Sequence, residues 1–177
     1  MESIAKPLEK LVKELPPHMH ARVREYVEFL LSRDGEPAVE PGPPNLGPDA
    51  EVTLRPITAE TVRDICGLTD TLKPPKKYMV APNAVSIAQA HFSDHAWFRA
   101  IYADETPVGF IMLYDDADKP EYFMWRLMVA GPHQGKGYGR RAVELLIDYV
   151  RTRPGAKELL TSYVPIEGGP KDFYLKL

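Results

Sequence analysis

The stretch LMVAGPHQGKGYGRR, residues 127–141, decides how the rest of this chain is interpreted. It begins in an apolar run that predicts a buried strand ending near Val129, and it ends in the first turn of an amphipathic helix. Gly135, Gly137 and Gly139 lie between them, and glycine reaches backbone conformations that strain other residues. The free N–H groups at a helix start lie at the positive end of its dipole and bind phosphates. The stretch therefore predicts a site for a pyrophosphate-bearing ligand.

Two common phosphate-binding motifs do not fit this stretch, and a third pattern does. A Walker loop needs a glycine, four residues and then Gly-Lys-Ser/Thr, and that spacing does not occur here. A dinucleotide-binding fingerprint needs glycine at the sixth position counted from Gly135, and that position is Arg140. The pattern Gln-x-x-Gly-x-Gly at 134–139, between a Leu-x-Val strand and a helix, resembles the coenzyme A loop of the GNAT acyltransferase superfamily.

The resemblance to this superfamily extends over residues 52–177. LRPIT at 54–58 resembles its opening strand, VGFIMLYDD at 108–116 its third strand, and DFYLKL at 172–177 its "FYxKLGF" helix. More narrowly, three further stretches are similar to bacterial spermine/spermidine (diamine) acetyltransferases. They are VAPNAVSIAQA at 80–90, AIYADETPVGF at 100–110 and RLMVAGPHQGKGYGRRAV at 126–143.

The resemblance implies a fold, a reaction and a cosubstrate. The implied fold is the mixed α/β GNAT fold, a central mixed sheet flanked by helices. The implied reaction transfers acetyl from acetyl-CoA to a primary amine, with a polyamine or diamine as one acceptor and a protein or antibiotic amine as others. A non-catalytic acyl-CoA sensor with a helical interaction arm is the alternative from another class.

The same resemblance assigns roles to residues of this chain. Tyr174 would be the general acid, and a packed aromatic is the other interpretation of that residue. Three strand residues would pair by main chain with the pantetheine arm, and seven loop residues would surround the pyrophosphate. The strand residues are Leu127, Met128 and Val129, and the loop residues are Gln134, Gly135, Lys136, Gly137, Tyr138, Gly139 and Arg140.

A general base is harder to assign from the sequence. Asp115, Asp116, Asp118 and Glu121 flank the turn between two predicted strands, near the place where such enzymes receive the amine. They would also attract a polyamine by charge, although acidic residues on a hairpin are often a solvated turn. Glu121, at the start of the coenzyme-binding strand, is the preferred base, acting through water.

Two features depart from the superfamily pattern. Relatives carry an asparagine near position 167 that contacts coenzyme A, and this sequence has Glu167 there. Relatives also continue past the position of Leu177 with Gly-Phe and a final pair of strands. The expected acetyltransferase domain, residues 51–177, is therefore one whose C-terminal strands are missing.

Composition narrows the classes of function. The chain has 177 residues and a net charge of −3, whereas nucleic-acid-binding proteins usually show a basic excess. Its apolar runs are shorter than the ~20 residues that span a bilayer. A single cysteine, Cys66, suits a reducing cytoplasm. The five histidines form no convincing ligand set, so no metal is expected.

The N-terminal segment is predicted to be a separate piece. Residues 1–33 read as two amphipathic helices, a hairpin that resembles a helical segment of bacterial antitoxin-like proteins. Residues 34–50 hold five prolines and three glycines and read as a linker. Two such short helices bury too little surface to be stable alone, so the hairpin is expected to pack on the catalytic domain of its own chain or on a second copy. A homodimer through these helices is the preferred prediction.

From Glu51 onward, strands and helices alternate. The predicted order is β-α-α-β-β-β-α-β-α, which is mixed α/β. Thr58 and Asn83 are predicted to cap the first two helices. The apolar run YFMWRLMVA is predicted to be a central strand covered on both faces.

Overall fold

The computed structural model describes residues 46–177 together with His20 and Arg24, both of which are helical. The chain divides into two compact units, Met1–Pro43 and Pro44–Leu177. Apart from His20 and Arg24, the predicted hairpin at 1–33 lies outside the described residues. So does the predicted linker as far as residue 45. The domain boundaries therefore stay a prediction.

Five strands and four α-helices form the described part of the second unit. In chain order they are β1 (Val52–Arg55), α1 (Val62–Gly67), α2 (Asn83–His91), β2 (Ala96–Ala103), β3 (Thr106–Asp116), β4 (Glu121–Val129), α3 (Tyr138–Arg151), β5 (Leu160–Thr161) and α4 (Lys171–Tyr174).

The strands form one mixed sheet in the order β1-β2-β3-β4-β5. Neighbours from β1 to β4 pair antiparallel. Short turns join β2 to β3 and β3 to β4, as antiparallel pairing allows, whereas α1 and α2 lie between β1 and β2. β4 and β5 pair parallel, and helix α3 provides the crossover that a parallel pair requires. The predicted mixed α/β class and the predicted order of elements are both confirmed.

Each face of the sheet carries its own apolar core. On one face Ile111, Leu113 and Met124 pack with Leu146 and Val150 of α3. On the other face a second cluster packs under α1 and α2. Its buried members are Ile65, Leu72, Ala90, Ala100, Phe110, Met112 and Met128. The helices therefore flank the sheet on both sides.

The strand covered on both faces is β3 rather than β4. Its residues 108–113 are all buried. In β4 only Tyr122, Met124 and Met128 are buried, and the rest of the strand is half-buried or exposed. The prediction of full cover for β4 was wrong because one edge of β4 borders a cavity rather than another long strand.

Asn83 does not cap helix α2 as predicted. Its side chain is fully buried, and its Nδ2 donates to the carbonyl oxygen of Ile65 at 2.7 Å. Pro82 holds the N-cap position instead. The amide of Asn83 thus joins α2 to α1, a long-range contact that a local capping pattern does not reveal.

The end of the predicted linker packs against the domain. Leu46 is buried in the core beneath α3. The hydroxyl of Tyr138 donates to the carbonyl oxygen of Gly47 at 2.8 Å, and Lys136 Nζ donates to that of Leu46 at 3.0 Å. Residues 46–50 therefore fix the position of the start of α3.

Gly109 of β3 makes possible the close approach of β3 to β4. A Cβ at this position would lie 2.3 Å from the carbonyl oxygen of Met128 and 3.1 Å from Cδ1 of Ile101. We expect Gly109→Ala to lower the free energy of unfolding by about 1–3 kcal/mol, because neither the backbone nor the packed core can move freely. Urea denaturation measures the change.

Gly67→Ala is the matched control for this substitution. Gly67 has helical backbone angles, φ −63° and ψ −24°, and a Cβ there meets no atom within 4 Å. Alanine at such a position is neutral or stabilises by about 0.4–1 kcal/mol. Equal stability losses in the two variants would contradict the packing argument.

Candidate functional site

A cavity of about 890 Å³ opens where β4 and β5 separate. The two strands pair only at Phe123–Leu160 and Met124–Thr161. Beyond these pairs, residues 125–129 line one wall and residues 161–164 line the other. Backbone groups on that edge of β4 are therefore left without a strand partner among the described residues, and an extended ligand with its own amides fits such an edge.

An irregularity in β4 contributes to the separation. The register of the β3–β4 pair shifts between Met112 and Leu113, which face Arg126 and Met124 of β4. Trp125 is the extra residue, and such a bulge bends its strand and alters where the neighbouring side chains point. The bulge lies immediately beyond the last residue that pairs with β5.

The glycine-rich loop forms the floor of the cavity at the start of α3. Gly135 has φ +78° and Gly137 has φ +82°, both in the left-handed region. Gly137 is the N-cap, and the first helical bond runs from the N–H of Arg141 to its carbonyl oxygen. The N–H groups of residues 135–140 donate to no other described residue. Together they form a positive cradle for an anion.

Gln134 connects this loop to β4 and to the segment before α2. Its Nε2 donates to the carbonyl oxygen of Val129 at 2.8 Å. Its Oε1 accepts from Nζ of Lys76 at 2.6 Å. Lys76 lies in a 3₁₀ turn, Lys76–Tyr78, that also borders the cavity. These two bonds fix the loop relative to the free edge of β4.

Nine of the ten predicted coenzyme residues line the cavity, and Lys136 is the exception. Lys136 points toward Leu46 on the other side of the loop. Tyr138 contributes through its backbone, because its ring is buried and its hydroxyl bonds to Gly47. Arg140 lines the cavity and donates to the carbonyl oxygen of Lys176. The roles of these residues remain predictions.

Tyr174 lines the same cavity from helix α4. Phe173, the preceding residue, packs beside Gly139 and so ties this short helix to the start of α3. The Tyr174 ring lies 5.1 Å from that of Phe173 and 6.1 Å from that of Tyr163. Burial raises the pKa of Tyr174, and the Thr161 hydroxyl partly offsets the rise. The phenol therefore stays protonated, and able to donate, throughout the neutral range.

Glu121 lies outside the cavity lining. It is exposed at the first residue of β4 and pairs with Asp116 across the hairpin. The nearest lining residue on this strand is Met124, three positions further on, or roughly 10 Å along a strand. The role of Glu121 as a base remains a prediction.

Two of the acidic residues near this hairpin, Asp115 and Asp116, are engaged in structural contacts. Asp115 accepts from the Tyr149 hydroxyl at 2.8 Å and from Arg153 Nε at 2.9 Å. Asp116 is buried and accepts the backbone N–H groups of Asp118 and Lys119, which lower its pKa against the opposing effect of burial. These carboxylates hold the turn and the end of α3, so an amine would have to displace existing partners.

Four cavity residues with basic side chains were not assigned roles from the sequence. Lys76, Arg126 and Lys176 line it, and so does His133, whose pKa is lowered by burial and by Lys136. His133 is buried, and its Nδ1 has no partner among the described residues. The sequence signal for Arg126 was a single basic residue in the apolar run YFMWRLMVA.

Residues 46–177 contain no group of three His, Cys, Asp or Glu side chains that could hold a metal ion. None of the helices in this range is both long and apolar enough to cross a membrane.

Comparison with known proteins identifies a family. The acetyltransferase (GNAT) family model matches residues 67–171 of the chain. No curated protein sequence matches the chain significantly.

Several solved structures share the fold at low sequence identity. The ribosomal-protein-S18-alanine N-acetyltransferase of Escherichia coli is 14% identical over 71% of this chain and 76% of that one, with a TM-score of 0.55. A spermidine N-acetyltransferase SpeG chimera from Vibrio cholerae and hSSAT is 19% identical over 72% and 77%, with a TM-score of 0.53. Arabidopsis thaliana Naa50, bound to a bisubstrate analogue containing CoA, is 19% identical over 71% and 80%, with a TM-score of 0.52.

Proposed function

The chain belongs to the acetyltransferase (GNAT) family, and from that premise we propose that it transfers acetyl from acetyl-CoA to a primary amine in the cavity between β4 and β5. Membership confirms the predicted fold and the predicted enzyme class. The acceptor and the roles of single residues are the proposed part.

The arrangement of the cavity is the observation that supports this function best. A free strand edge at residues 125–129 leads to the cradle of N–H groups at residues 135–140. A pantetheine arm has amides that can pair with such an edge, and a pyrophosphate fits such a cradle. We infer that Leu127–Val129 bind the arm and that Gln134–Arg140 bind the pyrophosphate. Lys136 would contribute by its backbone and by anchoring the loop to Leu46.

The proposed reaction uses few groups of the protein. The neutral amine nitrogen attacks the thioester carbon, a backbone N–H near Leu127–Val129 stabilises the oxyanion, and the C–S bond breaks to release the thiolate. The ammonium proton of the intermediate leaves to solvent. Tyr174, protonated and in the same cavity, donates a hydrogen bond to the departing sulfur.

Several kinds of primary amine are candidates for the acceptor. The fold neighbours include enzymes named for spermidine and for an alanine of a ribosomal protein. The resemblance to diamine acetyltransferases makes a polyamine one candidate. Asp115 and Asp116 are engaged within the fold, and Asp118 and Glu121 are exposed and outside the cavity lining, so a polyamine would meet no carboxylate of a described residue in the cavity.

Release of free thiol from acetyl-CoA, measured with a panel of amines, tests the proposal. The panel should hold polyamines, amino acids, peptides with free N-termini and aminoglycosides. Thiol release that occurs only with one class of acceptor supports the proposed acetyl transfer. A protein that binds CoA tightly in calorimetry and releases no thiol with any acceptor is the sensor, and the proposed function would be rejected.

We further propose that the N-terminal segment mediates homodimer formation. Deleting residues 1–43 leaves the compact unit that begins at Pro44, including Leu46 and Gly47, which pack on the domain. We expect the shortened chain to keep its acetyl-CoA affinity and to be a monomer in light scattering, whereas the full chain is a dimer. An unchanged oligomeric state with a lower melting temperature would show that the segment only stabilises its own subunit.

A further inference from the structure

The charged side chains that line the cavity are all basic within the described part of the chain. Four lysine or arginine residues contribute, and the lining includes no aspartate or glutamate. The four are Lys76, Arg126, Arg140 and Lys176. A cavity of this charge attracts an anion and opposes the entry of a polycation. The phosphates of the coenzyme account for the residues near the start of α3, but Arg126 lies elsewhere.

Arg126 lies midway along β4, next to the bulge residue Trp125. Its Nη1 donates to the carbonyl oxygen of Trp125 at 2.8 Å, and its Nη2 donates to Oε1 of Gln89 on α2 at 3.2 Å. Its guanidinium lies 5.3 Å from the centre of the Trp125 ring. The side chain therefore turns toward the α2 side of the sheet, whereas the phosphate cradle belongs to α3.

No carboxylate of a described residue pairs with Arg126. Arg55, Arg151 and Arg153 each have a carboxylate oxygen within 2.9 Å. For Arg126 no such partner is found, and partial burial alone lowers its pKa. Its Nε is buried and has no partner among the described residues. A half-buried guanidinium without a counter-ion is costly unless a ligand supplies the anion.

The backbone of Arg126 lies close along β4 to the residues around the proposed reaction centre. Tyr174 interacts with Thr161, and Thr161 pairs with Met124, two residues before Arg126 on β4. Two residues span about 6–7 Å of strand. An anion bound by Arg126 would thus belong to a small acceptor whose amine lies within a few bonds of it.

We propose that the acceptor is a small amino carboxylate, whose carboxylate binds to Arg126 and whose amine receives the acetyl group. This inference rests on the proposed acetyl transfer and names its acceptor class. Arginine suits the role because its planar donors match the two oxygens of a carboxylate. Trp125 and Gln89 hold the guanidinium so that little side-chain entropy is lost on binding.

The test compares amino acids with their primary amides, which keep the amine and lose the charge. Putrescine and spermidine are the polycationic probes. We expect kcat/KM for the best amino acid to exceed that for its amide by about 10²-fold, as for other sites built around one charged contact. Arg126→Gln should reduce this ratio to within about threefold of unity, with the Kd for acetyl-CoA unchanged. Arg126→Lys should retain part of the preference.

Lys176→Gln is the matched control, because it removes another lining cation outside β4. In this variant the ratio of kcat/KM for the amino acid to kcat/KM for its amide should be the same as in the wild type. Amides or polyamines that react as well as amino acids would overturn the proposal. So would an Arg126→Gln variant that keeps its melting temperature and binds acetyl-CoA more weakly, since Arg126 would then be a coenzyme contact.

A binding measurement separates this inference from the proposed function. Calorimetry with the CoA complex compares N-acetyl amino acids with N-acetyl amino acid amides. Binding that requires both the carboxylate and Arg126, in a protein that releases no thiol with any amine, would reject acetyl transfer and support the anion site. Equal binding of acids and amides would reject the anion site, whether or not the protein turns over acetyl-CoA.

Discussion

Gly137→Val is expected to weaken acetyl-CoA binding by at least about 10²-fold, or ~2.7 kcal/mol. Gly137 has φ +82° and ψ −4° and is the N-cap of α3. A β-branched residue strongly disfavours this region. A Cβ there would meet only Arg141 Nη1, at an ordinary contact distance of 3.5 Å, so the effect comes from the backbone rather than from a clash. The backbone would move to negative φ and turn the N–H cradle away from the pyrophosphate.

Isothermal calorimetry with acetyl-CoA measures this change, and Gly155→Ala provides the control. Gly155 also has positive φ, +64°, but it lies in the turn after α3, and its added Cβ would lie 2.9 Å from Cγ of Pro120. Gly155→Ala should therefore lower the melting temperature with little change in affinity. An affinity of Gly137→Val within threefold of wild type would remove the loop from the proposed coenzyme site.

The loop at 134–139 was predictable because its chemistry is local. Glycine in a strand-to-helix turn indicates a backbone conformation that other residues rarely adopt. The structure places Gly135 and Gly137 at positive φ. The order of strands and helices was predictable for a similar reason, since period-2 and period-3.6 patterns depend on neighbouring residues. The structure adds the length over which each strand pairs with its neighbour. The sequences of the two strands alone do not reveal this length.

Other features depend on residues distant in sequence. Asn83 looks like a cap, but its partner is the carbonyl of Ile65, 18 residues away. Glu121 is a predicted base, and its position beside Asp116, three residues before the lining residue Met124, follows from the register of β4. Arg126 is one basic residue in an apolar run, and only the structure reveals that no carboxylate of a described residue pairs with it. Charge balance inside a cavity is a property of the tertiary structure.

Tyr174 combines a favourable position with a protonated phenol. Burial raises its pKa above the ordinary value of about 10, whereas the thiol of the product has a pKa of about 8.5. Complete proton transfer to the free thiolate is therefore uphill by at least ~2 kcal/mol. In the proposed reaction the phenol would therefore contribute as a hydrogen-bond donor while charge develops on sulfur. Because the folded pKa is raised, this donor is present below it and is lost only as the pH rises through it.

Tyr174→Phe is therefore expected to lower kcat by about 10²-fold, the usual cost of one lost donor at a developing charge. The KM for acetyl-CoA should change by less than threefold, since the ring and its contacts with Phe173 and Tyr163 remain. Tyr163→Phe is the matched control, because it removes a neighbouring hydroxyl that also lines the cavity. Steady-state kinetics from pH 7 to 9 should show the loss in Tyr174→Phe as constant across the range, because the wild-type phenol stays protonated there. A kcat within twofold of wild type would make Tyr174 a packing residue, and a loss of equal size in Tyr163→Phe would move the donor to Tyr163.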